Sequence, residues 1–202
     1  MMSTPDSLSS NDVIAATRRW VENAVIGLNL CPFAKAVYVR EQIRFVASAA
    51  STPLELHDEL VKELLLLRDA HPEEIDTTLL MHPRVLTNFL DYNDFLDVVD
   101  ATVDELGLAG QIQVASFHPQ YQFAGTAPDD IENHTNRAPY PTLHLLRESS
   151  IDRAVAAFPE ASDIFNRNIA TMRSLGLEGW NRLMATFHTH QAMTWNNEKQ
   201  KN

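Results

Sequence analysis

The side chains with the most chemistry to offer crowd into one stretch. Residues 111–148 read QIQVASFHPQYQFAGTAPDDIENHTNRAPYPTLHLLRE and carry His118, His134, Asn136, Arg137, Tyr140 and His144. Imidazoles exchange protons near neutral pH, so His118 is a candidate acid or base, with His134 and Tyr140 assisting. A guanidinium offers a planar fork matched to carboxylate or phosphate, so Arg137, with Asn136 beside it, is the candidate anion contact. Pro139 and Pro141 stiffen the backbone around Tyr140 into an extended form, a mount on which a side chain can be aimed. The plainer alternative for Arg137 is an internal ion pair with Asp129, Asp130 or Glu132.

Two further residues join the candidate substrate-contacting set. His82-Pro83 repeats the His118-Pro119 dipeptide, and both follow strand-like runs, DTTLLM and QIQVASF. Ligands of open parallel sheets bind beyond the carboxyl ends of the strands, which is where both imidazoles would stand. The competing use is simpler: His-Pro stops a strand and the ring caps a carbonyl. Cys31, in Leu30-Cys31-Pro32-Phe33-Ala34, reads as the N-cap of a new helical turn, where the dipole favours thiolate. Cys-Pro-Phe-Ala also resembles the active-site turn of omega-type glutathione transferases, which makes thiol redox or glutathione chemistry an alternative. A buried, inert cysteine is the usual structural reading.

Metal binding is a reading the sequence does not favour. His118, His134 and His144 are candidate ligands, but no His-Glu-x-x-His or paired Cys-x-x-Cys spacing is present, and His188-x-His190 stands near the end of the chain. Neither a Gly-x-Ser-x-Gly elbow nor a glycine-rich phosphate loop occurs, so the cofactor is unassigned.

The elements that must position these groups read as α/β. Ser9 and Asp12 resemble a capping box ahead of a helical face of Val13, Thr17, Trp20, Val21, Ala24 and Leu28, with Gly27 as its end signal. Ile43, Phe45 and Ala47 alternate as a short strand. Ser51-Thr52-Pro53 opens a helix over 54–70, and Asp91 a second one through Tyr92, Phe95, Leu96, Val99, Val103 and Leu106. Strand, helix, strand, helix, strand implies parallel crossovers and a small, mainly parallel sheet with packed helices. Residues 142–146 are a further candidate strand. Pro159 opens a helix that Gly176 stops, and a last helix carries Trp180, Leu183, Met184 and Phe187. Residues 118–142 lack helical or strand period, and such long connections in compact domains are functional or disordered. Phe117, Tyr121, Phe123, Tyr140 and Leu143 are anchors that favour order. The expected organisation is a single domain over 1–202 with helical extensions at both ends and loose tails at 1–8 and 189–202.

The ordered set Leu30-Cys31-Pro32-Phe33-Ala34, His82-Pro83, Phe117-His118-Pro119, Asn136-Arg137-Ala138-Pro139-Tyr140-Pro141 and Leu143-His144-Leu145-Leu146-Arg147-Glu148 resembles domain-of-unknown-function family 1415. The likeness spans about 13–183. It implies a bacterial, single-domain soluble protein and carries no assigned activity.

Charge and composition narrow the class. A formal net charge of -11 argues against a general nucleic-acid binder and against docking on anionic membrane. No apolar run approaches the roughly 18 residues of a membrane span. The start lacks a charged n-region and apolar h-region, and the single cysteine excludes an intrachain disulfide. These point to a cytoplasmic protein whose partner is a small anionic molecule. The leading expectation is an enzyme with a His/Arg/Tyr pocket at the strand ends. The rivals are a non-catalytic metal- or small-ligand-binding protein and a Cys31 thiol enzyme.

Overall fold

A computed structural model describes residues 8–157 and 163–188. In chain order these form α1 (Ser10–Trp20), a π-helical segment (Val21–Ile26), α2 (Ala34–Val39), β1 (Ile43–Ala47), α3 (Pro53–Asp69), β2 (Thr77–Met81), α4 (Phe89–Glu105), β3 (Ile112–Phe117), a 3-10 helix (Ile131–Asn136), β4 (Thr142–Arg147), α5 (Glu148–Ala156) and α6 (Ile164–His188). Residues 1–7 of the first expected tail, all of the second at 189–202, and Pro159 lie outside the described residues.

The chain is mixed α/β, with the four strands in one open sheet of order β1-β2-β4-β3. β1 pairs parallel with β2, and β4 pairs antiparallel with both β2 and β3. The three strands expected from periodicity therefore share one sheet and one direction. The expected predominance of parallel pairing is modified by β4, which slots between β2 and β3 and makes two of the three pairings antiparallel. Leu143 and Leu145 explain the position: both are fully buried on one face, as a central strand requires.

Strand alternation divides the core in two. Val46, Leu80, Ile112, Val114, Leu143 and Leu145 pack with α3 and α4 residues such as Leu60, Leu64, Tyr92 and Val99. Ile43, Phe45, Leu79, Met81 and Phe117 face the other way, toward Trp20, Val21, Met172, Trp180 and Phe187. A one-residue slip of any strand would exchange these sets, so each face fixes register.

Local chemistry sets the helix ends. The Ser9 hydroxyl accepts from the Asp12 N–H at 3.2 Å, and Thr52 with Glu55 forms a full capping box with Pro53 at the first turn. α4 starts ahead of Asp91, because the Asn88 side chain already accepts from the N–H groups of Leu90 and Asp91. The first helix ends differently from expectation as well. It widens into the π segment, which brings the Asn23 carbonyl oxygen to 2.3 Å from where a Cβ on Gly27 would stand. Gly27 is thus required for close approach, and the left-handed residue that turns the chain is Asn29 (φ 54°). Gly176 (φ 65°) breaks α6 into the two expected helices. Arg147 reaches from β4 to the Leu67, Ala70 and Ile75 carbonyls and closes the carboxyl end of α3.

Candidate active site

β2 and β3 run in the same direction and end at Met81 and Phe117, so His82 and His118 stand at the same edge of the sheet. The backbone ties both corners to the returning chain. The His82 N–H donates to the Pro141 carbonyl at 2.9 Å, and the His118 N–H donates to the Asn136 carbonyl at 3.2 Å. Both residues are 0% exposed.

The rings form a column with side chains from α4. Tyr92 lies 5.5 Å from His82 at an interplanar angle of 23°, and 5.2 Å from His118 at 33°. Phe89 lies 5.4 Å from His118 and 5.3 Å from Tyr121. The Tyr92 hydroxyl donates to the Thr142 carbonyl at 2.9 Å, which anchors the column to β4. Burial raises the Tyr92 phenol well above its ordinary value, so it remains a neutral donor.

The hydrogen-bond partners assign opposite tautomers to the two imidazoles. His82 Nδ1 is 2.9 Å from the Val85 carbonyl, which only accepts, so Nδ1 carries the proton and Nε2 is a bare lone pair. That Nε2 is buried and has no hydrogen-bond partner among the described residues. His118 Nδ1 accepts from the Gln120 N–H at 3.0 Å, so its Nε2 carries the proton and donates to the Leu86 carbonyl at 3.3 Å. Leu86 holds a left-handed φ of 55°, a conformation that costs a leucine about 1–2 kcal/mol. Burial pushes His82 down to about 4, with His118 adding to the shift and the Val85 bond opposing it. Burial also lowers His118, against its bonds to the Leu86 and Thr87 carbonyls. Both rings are neutral at pH 7.

The connection above them is built rather than slack. Asn133, fully buried, accepts from the Phe123 N–H (3.0 Å) and the Thr126 hydroxyl (2.8 Å) and donates to the Ala127 carbonyl (2.7 Å). Arg137 is half-buried and donates from Nε to the Tyr121 carbonyl (3.2 Å), from Nη1 to His134 Nε2 (3.0 Å) and from Nη2 to the Pro128 carbonyl (2.6 Å). It makes no ion pair among the described residues: Glu132 pairs with Arg173, and Asp130 accepts from the Ala127 N–H. The Nη1 and Nη2 groups each keep one further N–H. The His134 ring packs edge-on to Trp180 of α6 at 5.4 Å. Burial first, then the Arg137 charge, lowers the His134 pKa.

The other expected site residues are placed elsewhere. The Asn136 amide donates to the Ser116 carbonyl at 3.3 Å and so holds the loop to β3. Tyr140 packs on the α1 and α6 face, its phenol pKa raised by burial and by Asp12. His144 donates from Nε2 to the Thr77 hydroxyl at 2.8 Å, since that hydroxyl itself donates to the Leu145 carbonyl. Its ring lies 6.0 Å from Phe117, and burial pushes it down to about 4. His118, His134 and His144 are thus not brought together. Among the described residues no group of three His, Cys, Asp or Glu side chains could hold a metal ion. Cys31 precedes a turn into α2 rather than capping it directly, and Phe33 is the N-cap. Burial raises its thiol, and the Phe33 and Ala34 N–H groups offset only part of that. A raised thiol pKa disfavours thiolate chemistry at neutral pH.

Sequence reasoning missed Tyr92, Phe89, Leu86 and Asn133. Tyr92 was legible only as the first residue of an apolar helix face. No signal in the sequence distinguished Asn133 from its polar neighbours.

Among the described residues no helix is long and apolar enough to cross a membrane. No curated protein and no solved structure matches the chain. The family described as "Protein of unknown function (DUF1415)" matches residues 12–182, most of the chain and all of the histidine column and its covering loop. The chain belongs to that family.

Proposed function

We propose that this chain is an enzyme acting on a small anionic metabolite at the carboxyl ends of β2 and β3. His82 is the proton acceptor and the His118 Nε2–H is the hydrogen-bond donor to the charge that develops. The observation that carries the reading is the bare Nε2 of His82, fully buried and without a partner among the described residues. Leaving such an acceptor unsatisfied costs about 1–3 kcal/mol, which folding alone gives no reason to retain. A neutral base and a neutral hydrogen-bond donor against one tyrosine ring can take a proton at His82 and stabilise the charge that develops beside His118. The remaining N–H groups of Arg137 supply the anion contact, and Asn136 keeps that segment against β3. Substrate entry requires the 118–141 segment to lift, because both imidazoles are closed off. The acidic balance and single cysteine support a cytoplasmic setting without nucleic-acid partners.

The test is a thermal-shift screen against small carboxylates and phosphates, since a ligand that binds only the folded state raises Tm. A hit is expected to lose its shift in His82→Asn, which keeps a donor for the Val85 carbonyl and removes Nε2. A hit whose shift is the same in His82→Asn and Arg137→Lys places the ligand elsewhere. A library with no hit contradicts the reading.

A further inference from the structure

β3 and β1 are the two edges of the sheet, and the chain treats them differently. Glu148 donates to the Gln111 carbonyl, so Gln113, Ala115 and Phe117 turn their backbone groups toward β4, and Ile112, Val114 and Ser116 turn theirs outward. That outward edge is closed at both ends. The Ile112 N–H donates to the Leu108 carbonyl at 3.0 Å, and the Ser116 carbonyl accepts from the Asn136 amide at 3.3 Å. At β1, Ser48 donates to the Met81 carbonyl and the Gln42 carbonyl accepts from Thr77, so Ile43, Phe45 and Ala47 point their N–H and C=O groups away from the sheet. None of these groups bonds elsewhere among the described residues. The strand IRFVA carries neither proline nor lysine, the residues that blunt an edge, and Arg44 is held in a bidentate pair with Glu63 at 2.7 and 3.0 Å. An edge in this state is a template for another strand.

Charge is laid out along the same edge. Ile43 and Phe45 line a cleft of about 300 Å³ with Arg18, Tyr38 and Glu41. The Arg18 guanidinium lies 4.2 Å from the centre of the Phe45 ring. Glu41 stands before Ile43, where the chain enters β1 through a left-handed turn (φ 58°). Both charged residues are exposed, and neither has an ion pair among the described residues. The Tyr38 hydroxyl donates to Glu22. A cation beside Phe45 and an anion at Glu41 are self-complementary under a two-fold rotation about the residue midway between them, Ile43.

We propose that the free edge of β1 pairs antiparallel with β1 of a second copy of this chain, about a two-fold axis at Ile43, and joins the two sheets into one. Phe45 then stands opposite Glu41 of the second copy. The Glu41 carboxylate meets the guanidinium on the Phe45 ring, once on each side of the axis. Charge opposes the neighbouring registers: an axis at Arg44 sets Arg44 directly against its own copy, and an axis at Phe45 brings the two stacked Arg18 groups together. A cleft walled by Arg18, Tyr38 and Glu41 suits a contact made of backbone bonds and ion pairs. This pairing does not rest on the histidine column.

Sedimentation velocity of the full chain between about 1 µM and about 1 mM tests it, in the unaltered protein, Arg18→Glu, Glu41→Arg and the double variant. The unaltered chain is expected to pass from monomer to dimer. Each single reversal sets like charges together on both sides of the axis and should weaken the dimer at least about tenfold, and the double variant should largely restore it, because the exchanged charges attract again. The Ile43 and Phe45 amides should exchange more slowly as the dimer forms, with β4 amides unchanged. A monomer at every concentration overturns the proposal. A dimer that both single reversals leave intact, or that the double variant fails to restore, lies on another surface and also overturns it. Edge amides protected equally at both ends of the concentration range assign the edge to the chain itself, which overturns it as well.

Discussion

The corners after β2 and β3 use the same two residues and arrive at opposite protonation patterns. At His82-Pro83 the chain turns back at once, and the Val85 carbonyl takes the Nδ1 proton, leaving Nε2 bare. At His118-Pro119 the following Gln120 N–H occupies Nδ1, which moves the proton to Nε2 and toward Leu86. A shared dipeptide thus does not give a shared role. The local backbone group, a carbonyl in one corner and an amide in the other, decides which nitrogen is the base. Tyr92 contacts both rings, so the two corners are coupled through one side chain of α4.

The most severe way to break the comparison is Tyr92→Ala. It removes a fully buried ring, its bond to Thr142 and the surface shared by both imidazoles. Denaturant unfolding is expected to show a loss of about 3–5 kcal/mol, the range for large aromatic truncations.

Acid separates the corners more gently. His82 has an ordinary value of 6.5 and is held down to about 4 in the fold. The unfolded chain therefore binds the proton first as pH falls, so stability is full above about 6.5 and is lost progressively toward about 4. The His82 share is about 3 kcal/mol, from about 1.4 kcal/mol for each tenfold change in proton affinity. His144, held down to about 4 as well, loses stability in the same window. Unfolding free energies measured across that range should fall less steeply in His82→Asn. An unchanged slope would mean that His82 is not the buried neutral ring described.

Arg137→Lys probes the loop that covers both corners. Lysine retains the charge but loses the fork that reaches Tyr121, His134 and Pro128 together. A loss of roughly 1.5–3 kcal/mol is expected, with faster amide exchange across 121–137. The smallest effect is expected at Cys31→Ser, within about 1 kcal/mol, together with slow alkylation of the native thiol at neutral pH.

How much of this was legible varies with the range of the cause. Local signals were reliable: the Ser51-Thr52-Pro53 helix start, the strand alternation around Phe45, the apolar run that ends at Met81, and the break at Gly176 all depend on a few neighbouring residues. The insertion of β4 between β2 and β3 was not legible, because strand order depends on pairings distant in sequence. Likewise the His-Pro dipeptides mark His82 and His118 as strand ends but carry no trace of their tautomers, which rest on Val85 and Gln120 backbone groups. Arg137 has acids close by in sequence, yet its partners are carbonyls and His134, since Asp130 and Glu132 are engaged by Ala127 and Arg173. Proximity in sequence groups Tyr140 and His144 with His118, yet Tyr140 packs on the α1 and α6 side and the pleat of β4 turns His144 toward Phe117.

The most direct test is nitrogen-15 NMR of the histidine side chains at pH 7. Two neutral rings of opposite tautomer are expected: His82 with its proton on Nδ1 and an unprotonated Nε2, and His118 with its proton on Nε2 and an unprotonated Nδ1. The His82 Nε2 signal should also move when a ligand from the thermal-shift screen is added. Two rings of the same tautomer, or an imidazolium at either position, would contradict the acceptor–donor pairing of the two corners.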